Sequence, residues 1–100
     1  MYGLIGKMLA APGKRAELLA ILLENIGAMP GCLSYVIACD GASEDGIWIT
    51  EIWDSRESHA GSLQLAQVQA TIARAKPLIA GFGERFETEP LGGVGLQSGQ

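Results

Sequence analysis

The chain has 100 residues, 48% apolar and 18% charged, with a net charge of −4 at pH 7 and a pI near 4.8. This describes one small domain with one core, too hydrophobic for disorder and too acidic, with 7 scattered Lys and Arg residues, to neutralise a track of phosphates. No apolar run approaches the ~20 residues that cross a bilayer, and the start of the chain lacks the basic-then-apolar pattern of a signal; no nucleic-acid or membrane partner is expected, and the protein is read as cytoplasmic.

Tyr2 to Ala11 alternates Leu4, Met8 and Ala10 with Ile5, Lys7 and Leu9, the period of a strand. Gly3 and Gly6 inside it point to a close backbone approach, a bulge or space for a ligand, and Pro12-Gly13 ends it. From Lys14 to about Ile26 the period becomes helical, with Leu18, Leu22 and Ile26 in one row, Leu19 and Leu23 in the next, Lys14 and Arg15 toward solvent, and Gly27 as the stop.

After the Ala28-Met29-Pro30-Gly31 turn, Cys32 to Asp40 reads as a second strand, with Leu33, Tyr35, Ile37 and Cys39 alternating with Ser34, Val36 and Ala38. Cys32 and Cys39 would lie roughly 23 Å apart along it, too far for a disulfide, and their odd spacing sends them to opposite faces. Both are read as reduced. The acidic residues of Asp40–Gly46 lack the spacing of a calcium loop, so this is a solvated hairpin connection and no metal is expected. Ile47 to Trp53 returns antiparallel, with Ile47, Ile49, Glu51 and Trp53 on one face and Trp48, Thr50 and Ile52 on the other. Neither face is plainly polar, so both require cover.

Asp54, with Glu57 three residues on, reads as the cap of a short helix from Ser55 to about Gly61. A further helix starts at Leu65 or Ala66, presents Val68, Ile72 and Ala75 on one face, and is broken by Pro77. Gly81 ends the helical region. Phe82 to Pro90 is a last strand with Phe82, Glu84, Phe86 and Thr88 together on one side, and residues 91–100 form a flexible glycine-rich tail. The fold class is therefore α+β: a ferredoxin-like β-α-β-β-α-β unit with an antiparallel sheet over residues 1–90. Helices on one face leave an apolar second face, which a second copy would cover, so a homodimer is expected.

The residues Trp48-Ile49-Thr50-Glu51-Ile52-Trp53-Asp54-Ser55 match an aromatic-x-x-Glu-x-Trp-x-Ser/Asp pattern, Gly31-Cys32-Leu33-Ser34-Tyr35 a Gly-Cys/Asn-x-x-Tyr pattern, and Pro77 to Phe82 a helix–strand junction. Together they resemble the antibiotic biosynthesis monooxygenase family of dimeric α+β barrels, over about Tyr2 to Pro90. The resemblance implies a dimer with a pocket between each sheet and its helices. It also implies oxidation of a small aromatic substrate, a quinol or phenol, by O₂ with no metal, flavin or other cofactor. Relatives that oxidise polyketides carry Asn four residues before the Trp, where this chain has Ile49. Relatives that degrade haem carry Asn on the first strand, which has none here, so haem chemistry is not expected.

Trp53 corresponds to the Trp that lines the family pocket and is equally suited to anchoring the strand in the core. Ile49 and Tyr35 are further candidate pocket residues, and Tyr35 and Tyr2 candidate partners for a phenolic oxygen. Glu51 shares the Trp53 face and needs a partner or a raised pKa; pairing with Arg56, Arg74 or Arg85 is expected ahead of catalysis. His59 is the sole histidine, suited to acid–base work near neutrality but also to a surface or interhelical place. It stands six residues after the Trp, where relatives carry a His nine or ten residues on. His59 and Glu51 are the candidate catalytic pair. The expected function is a cofactor-independent monooxygenase of quinols or phenols; the alternative is a dimeric small-molecule-binding or protective module without turnover.

Overall fold

The computed structural model describes residues 1–24 and 29–96. Four strands, β1 (Tyr2–Ala10), β2 (Cys32–Cys39), β3 (Gly46–Trp53) and β4 (Ile79–Thr88), alternate with α1 (Arg15–Leu23), α2 (Arg56–Ser62) and α3 (Ala66–Ala75), the last running into a 3₁₀ turn at Lys76–Leu78. The strands form one sheet in the order β2-β3-β1-β4, every neighbouring pair antiparallel. This is the α+β ferredoxin-like unit expected. No helix among the described residues is long and apolar enough to cross a membrane.

The helices cover the sheet face that carries Tyr2, Leu4 and Met8 of β1 and Ile47, Ile49, Glu51 and Trp53 of β3. Leu18 of α1 and Ala75 of α3 pack there against Ala10, Ile47 and Ile49, and a second apolar cluster joins Tyr2, Leu4 and Trp53. Leu18, Ile47 and Trp53 are the largest fully buried side chains. Burial of each such side chain contributes about 1.5–3 kcal/mol, so β3 and α1 carry much of the core. Leu23, in the row adjacent to Leu18 and Leu22, is exposed; Ile26, Gly27 and Ala28 lie outside the described residues, as do the last four of the tail.

The other sheet face keeps Ile5, Leu9, Val36, Trp48, Thr50, Ile52 and Phe86 without a covering layer, with Val36 and Phe86 about half exposed. On it Lys7 Nζ pairs with Asp40 at 2.8 Å and lies over the Trp48 ring. Gly3 faces the same side, where a Cβ would lie 2.1 Å from Thr88 Oγ1 and 2.9 Å from Pro90; this is the close approach its position suggested.

Bulges change several expectations. β4 begins at Ile79, three residues before Phe82, because the 3₁₀ turn absorbs Pro77 and pairing resumes at once with Ala10. Between Gly6 and Met8 the register slips by one residue. Phe82 thus pairs with Met8 on the helix side and Phe86 with Ile5 on the open side, so the two are not on one face. A further slip, between Cys32 and Ser34, brings Cys32 opposite Trp53 and Cys39 opposite Ile47. Both thiols therefore belong to the same face, and both are free. An extra residue in one strand inverts the alternation beyond it.

The loops are tied down by side chains. Arg15 is not merely solvated: its Nη1 donates to the carbonyls of Ser43 at 2.7 Å and Gly46 at 3.3 Å, holding the hairpin loop to α1. The cap of α2 is Ser55, whose Oγ accepts from Ser58 N at 3.1 Å; Asp54, the expected cap, is exposed. Its backbone N–H donates to Gly31 O at 2.9 Å, because Gly31, at φ 83°, turns the chain close under α2.

Candidate functional site

Alternation along β3 places Glu51 and Trp53 on one face, two residues apart, and there the indole Nε1 donates to Glu51 Oε1 at 3.0 Å. Pairing sets Tyr35 of β2 and Leu4 of β1 on either side of Glu51. The α2 helix, started by the Ser55 cap, drops His59 onto this patch. Its ring lies 5.5 Å from that of Trp53 at 69° and 5.7 Å from that of Tyr2 at 45°. Its Nε2 is 3.9 Å from Glu51 Oε1.

These groups form the polar end of a cavity of about 170 Å³ between the sheet and the helices. Ile49, Met8, Leu22, Met29, Val68 and Ile72 supply its apolar body. Of the six candidates named from the sequence, Tyr35, Ile49, Glu51, Trp53 and His59 line it and Tyr2 does not. Glu51 and His59 keep side-chain exposures of only 17% and 18%, so their contact is partly sheltered from water. Burial, with a smaller contribution from the Glu51 carboxylate, raises the Tyr35 phenol well above its ordinary pKa; the ring is a neutral hydroxyl at any physiological pH.

Glu51 does not pair with an arginine. Arg74 bonds Glu24 through both guanidinium nitrogens, and Arg56 reaches Glu87 at 3.0 Å. Arg85 stands on β4 near Tyr2 and Glu87, whose charge states it influences. The carboxylate is instead held by the indole N–H of its own strand. Tyr2 does not line the cavity: its hydroxyl donates to Glu87 at 2.6 Å, and the Arg56 guanidinium lies 4.5 Å from its ring centre. Tyr2 serves as the wall behind His59. Ser62 is buried and spends its hydroxyl on the His59 carbonyl at 2.6 Å.

The lining residues outside the sequence-based candidates are Met8, Leu22, Met29, Ser62, Leu63 and Thr71. Val68 and Ile72, which also line the cavity, belong to the apolar face of α3 that the helical period marks. The signal available in the sequence was that this face of α3 has few large residues, which leaves room over the sheet. Among the described residues no group of three or more His, Cys, Asp and Glu side chains could hold a metal ion.

The chain is thus an α+β sandwich with an apolar cavity between its sheet and helices and a Trp–Glu–His end to it. The profile of the antibiotic biosynthesis monooxygenase family matches residues 1–74, and the chain belongs to that family. It is similar to a Chloroflexus aurantiacus protein assigned to the same family, with 59% identity, a TM-score of 0.91, and coverage of 95% of this chain and 97% of that one. The fold also matches a Deinococcus radiodurans family member, at 23% identity and TM-score 0.74 over 94% of this chain and 96% of that one. A Pseudomonas aeruginosa protein matches it at 19% identity and TM-score 0.79, over 91% and 94% of the two chains. No protein of curated function matches the chain.

Proposed function

We propose that the protein is a cofactor-independent monooxygenase that oxidises a small quinol or phenol with O₂, and that it works as a homodimer. The observation that carries the reading is the cavity itself, apolar along its body and closed at one end by Tyr35, Glu51 and His59. A ring held in it turns its hydroxyl to His59 and Glu51, two groups able to move a proton. His59 Nε2 takes that proton, and the Glu51 carboxylate 3.9 Å away, fixed by the Trp53 indole, steadies the imidazolium. Tyr35, always a neutral donor, hydrogen-bonds the phenolate.

A phenolate is electron-rich enough to reduce O₂ directly, and the dry apolar walls keep the reduced oxygen from escaping before it recombines with the ring. For a hydroquinone, C₆H₆O₂ and O₂ give a hydroxyquinone, C₆H₄O₃, and water: one oxygen atom enters the ring, the other leaves as water, and the substrate supplies all the electrons.

The uncovered sheet face supports the dimer. Ile5, Leu9, Trp48 and Ile52 are half-buried there beside the exposed Val36 and Phe86, an apolar strip suited to a second copy of itself.

Oxygen uptake by metal-free protein over a panel of hydroquinones tests the reaction. Turnover of at least one is expected, with His59→Ala lowering kcat by about 10²–10⁴-fold. No uptake with any member refutes the oxygenase and leaves a binding module. Light scattering tests the dimer, which a monomer at micromolar concentration would refute.

A further inference from the structure

A second cavity, of about 230 Å³, lies beside the first and shares three of its walls, Met8, Ile49 and Glu51. It opens over Gly6, where a Cβ would meet nothing within 4 Å, and is bounded beyond by Phe82 and Arg85 of β4. The β-bulge is what makes this space. The slip between Gly6 and Met8 turns Phe82 back to the helix side opposite Met8, and Gly6 opposite Arg85 contributes no side chain to fill the gap.

Of the shared walls, Ile49 is a branched residue buried in the core, and Glu51 is held by Trp53. Met8 is the unbranched, deformable one. The first cavity alone, at about 170 Å³, suits a single six-membered ring, since an apolar cavity of about 150 Å³ holds one benzene. A second fused ring exceeds this volume, and within the protein the adjoining room is the space over Gly6, beyond the Met8 side chain.

We propose that Met8 is the specificity-determining partition of this pocket: it limits the site to single-ring dihydroxybenzenes and shuts fused two-ring quinols out of the empty volume over Gly6. This rests on the quinol reading of the site, although the size limit is a property of binding and not of turnover. Met8 acts through its volume, and Gly6 is the floor of the space it closes off. Removing the first side chain opens the second cavity, and adding one at Gly6 fills it again.

The test is calorimetry under argon, so that ligand is bound and not consumed, using methylhydroquinone and 1,4-dihydroxynaphthalene. The native protein is expected to bind the one-ring ligand at least tenfold more tightly, against the general tendency of a larger apolar ligand to bind better. Met8→Ala should gain at least tenfold in affinity for the two-ring ligand. Gly6→Val added to it should remove that gain, a substitution the strand tolerates because nothing lies where its Cβ goes.

Equal or tighter binding of the two-ring ligand by native protein overturns the proposal, and so does failure to bind either ligand. A Met8→Ala protein with a native circular dichroism spectrum and no gain does so too. Should Met8→Ala not fold, Met8→Val and the native comparison decide. A size preference found in a protein that consumes no oxygen leaves the partition standing and removes the oxygenase; turnover of both ring sizes at equal kcat/KM does the reverse.

Discussion

Replacing Trp53 by Phe removes the indole N–H that Glu51 Oε1 accepts at 3.0 Å while leaving an aromatic ring in the same place. Trp53 is 1% exposed and lines the cavity, so the vacated volume is added to that space. A hydrogen bond to a charged group contributes about 1.5–3 kcal/mol, and losing one partner strands the other. With the smaller ring added, the expected loss is about 2–4 kcal/mol, which for a chain of this size lowers Tm by roughly 10–20 °C.

A double-mutant cycle with Glu51→Leu isolates the bond. Each single substitution leaves one polar group orphaned and the double leaves none, so the double should be less destabilised than the two singles combined, by about 1–3 kcal/mol. Urea unfolding, at one fixed protein concentration so that any association contributes equally, is the assay. Effects that add to within about 0.5 kcal/mol would mean the two side chains are uncoupled. The account of how Glu51 is oriented toward His59 would then be wrong.

Three other outcomes follow from the geometry. Ser55→Ala should cost about 0.5–2 kcal/mol by removing the α2 cap, whereas Asp54→Ala, at an exposed position, should stay within about 0.5 kcal/mol; chemical denaturation separates them. Gly31→Ala should cost more than about 2 kcal/mol, because the residue sits at φ 83° and its Cβ would meet Ser58 Oγ at 2.5 Å, and thermal melting should show it. The third concerns pH. Lys7 holds Asp40 below its ordinary 3.8, Arg74 holds Glu24 below 4.5, and the Tyr2 hydroxyl and Arg56 hold Glu87 below 4.5. The folded pKa values being the lower ones, this stability is complete above about pH 4.5 and is lost as pH falls through them. Acid melts should show the loss, and 0.5 M salt should shrink it at the exposed Arg74–Glu24 and Arg56–Glu87 pairs more than at the half-buried Lys7–Asp40 pair.

The element order could be read from the sequence because it rests on short-range patterns: a two-residue period in β1 and β3, a helical period in α1 and α3, and glycine and proline at the breaks; the family was legible only as a resemblance, in the motifs at Gly31–Tyr35, Trp48–Ser55 and Pro77–Phe82. The shared face of Glu51 and Trp53 was equally open to reading, since neighbours two apart on a strand face the same way wherever the strand goes. His59 was visible as the sole histidine, but not its contact with Glu51, because that depends on where α2 crosses β3.

What the chain's own pattern determined is thus the elements, their order and the faces of an unbroken strand such as β3. Tertiary structure alone decided the rest. Which faces Phe82, Phe86, Cys32 and Cys39 occupy was set by bulges in β4 and β2, since a bulge exists only relative to the strand it pairs with. That Glu51 is held by an indole, while the arginines go to Glu24 and Glu87, was settled by which side chains the fold brings within 3 Å or so of one another. The empty space over Gly6 is a residue's absence seen from across the sheet, and only a folded chain has an across.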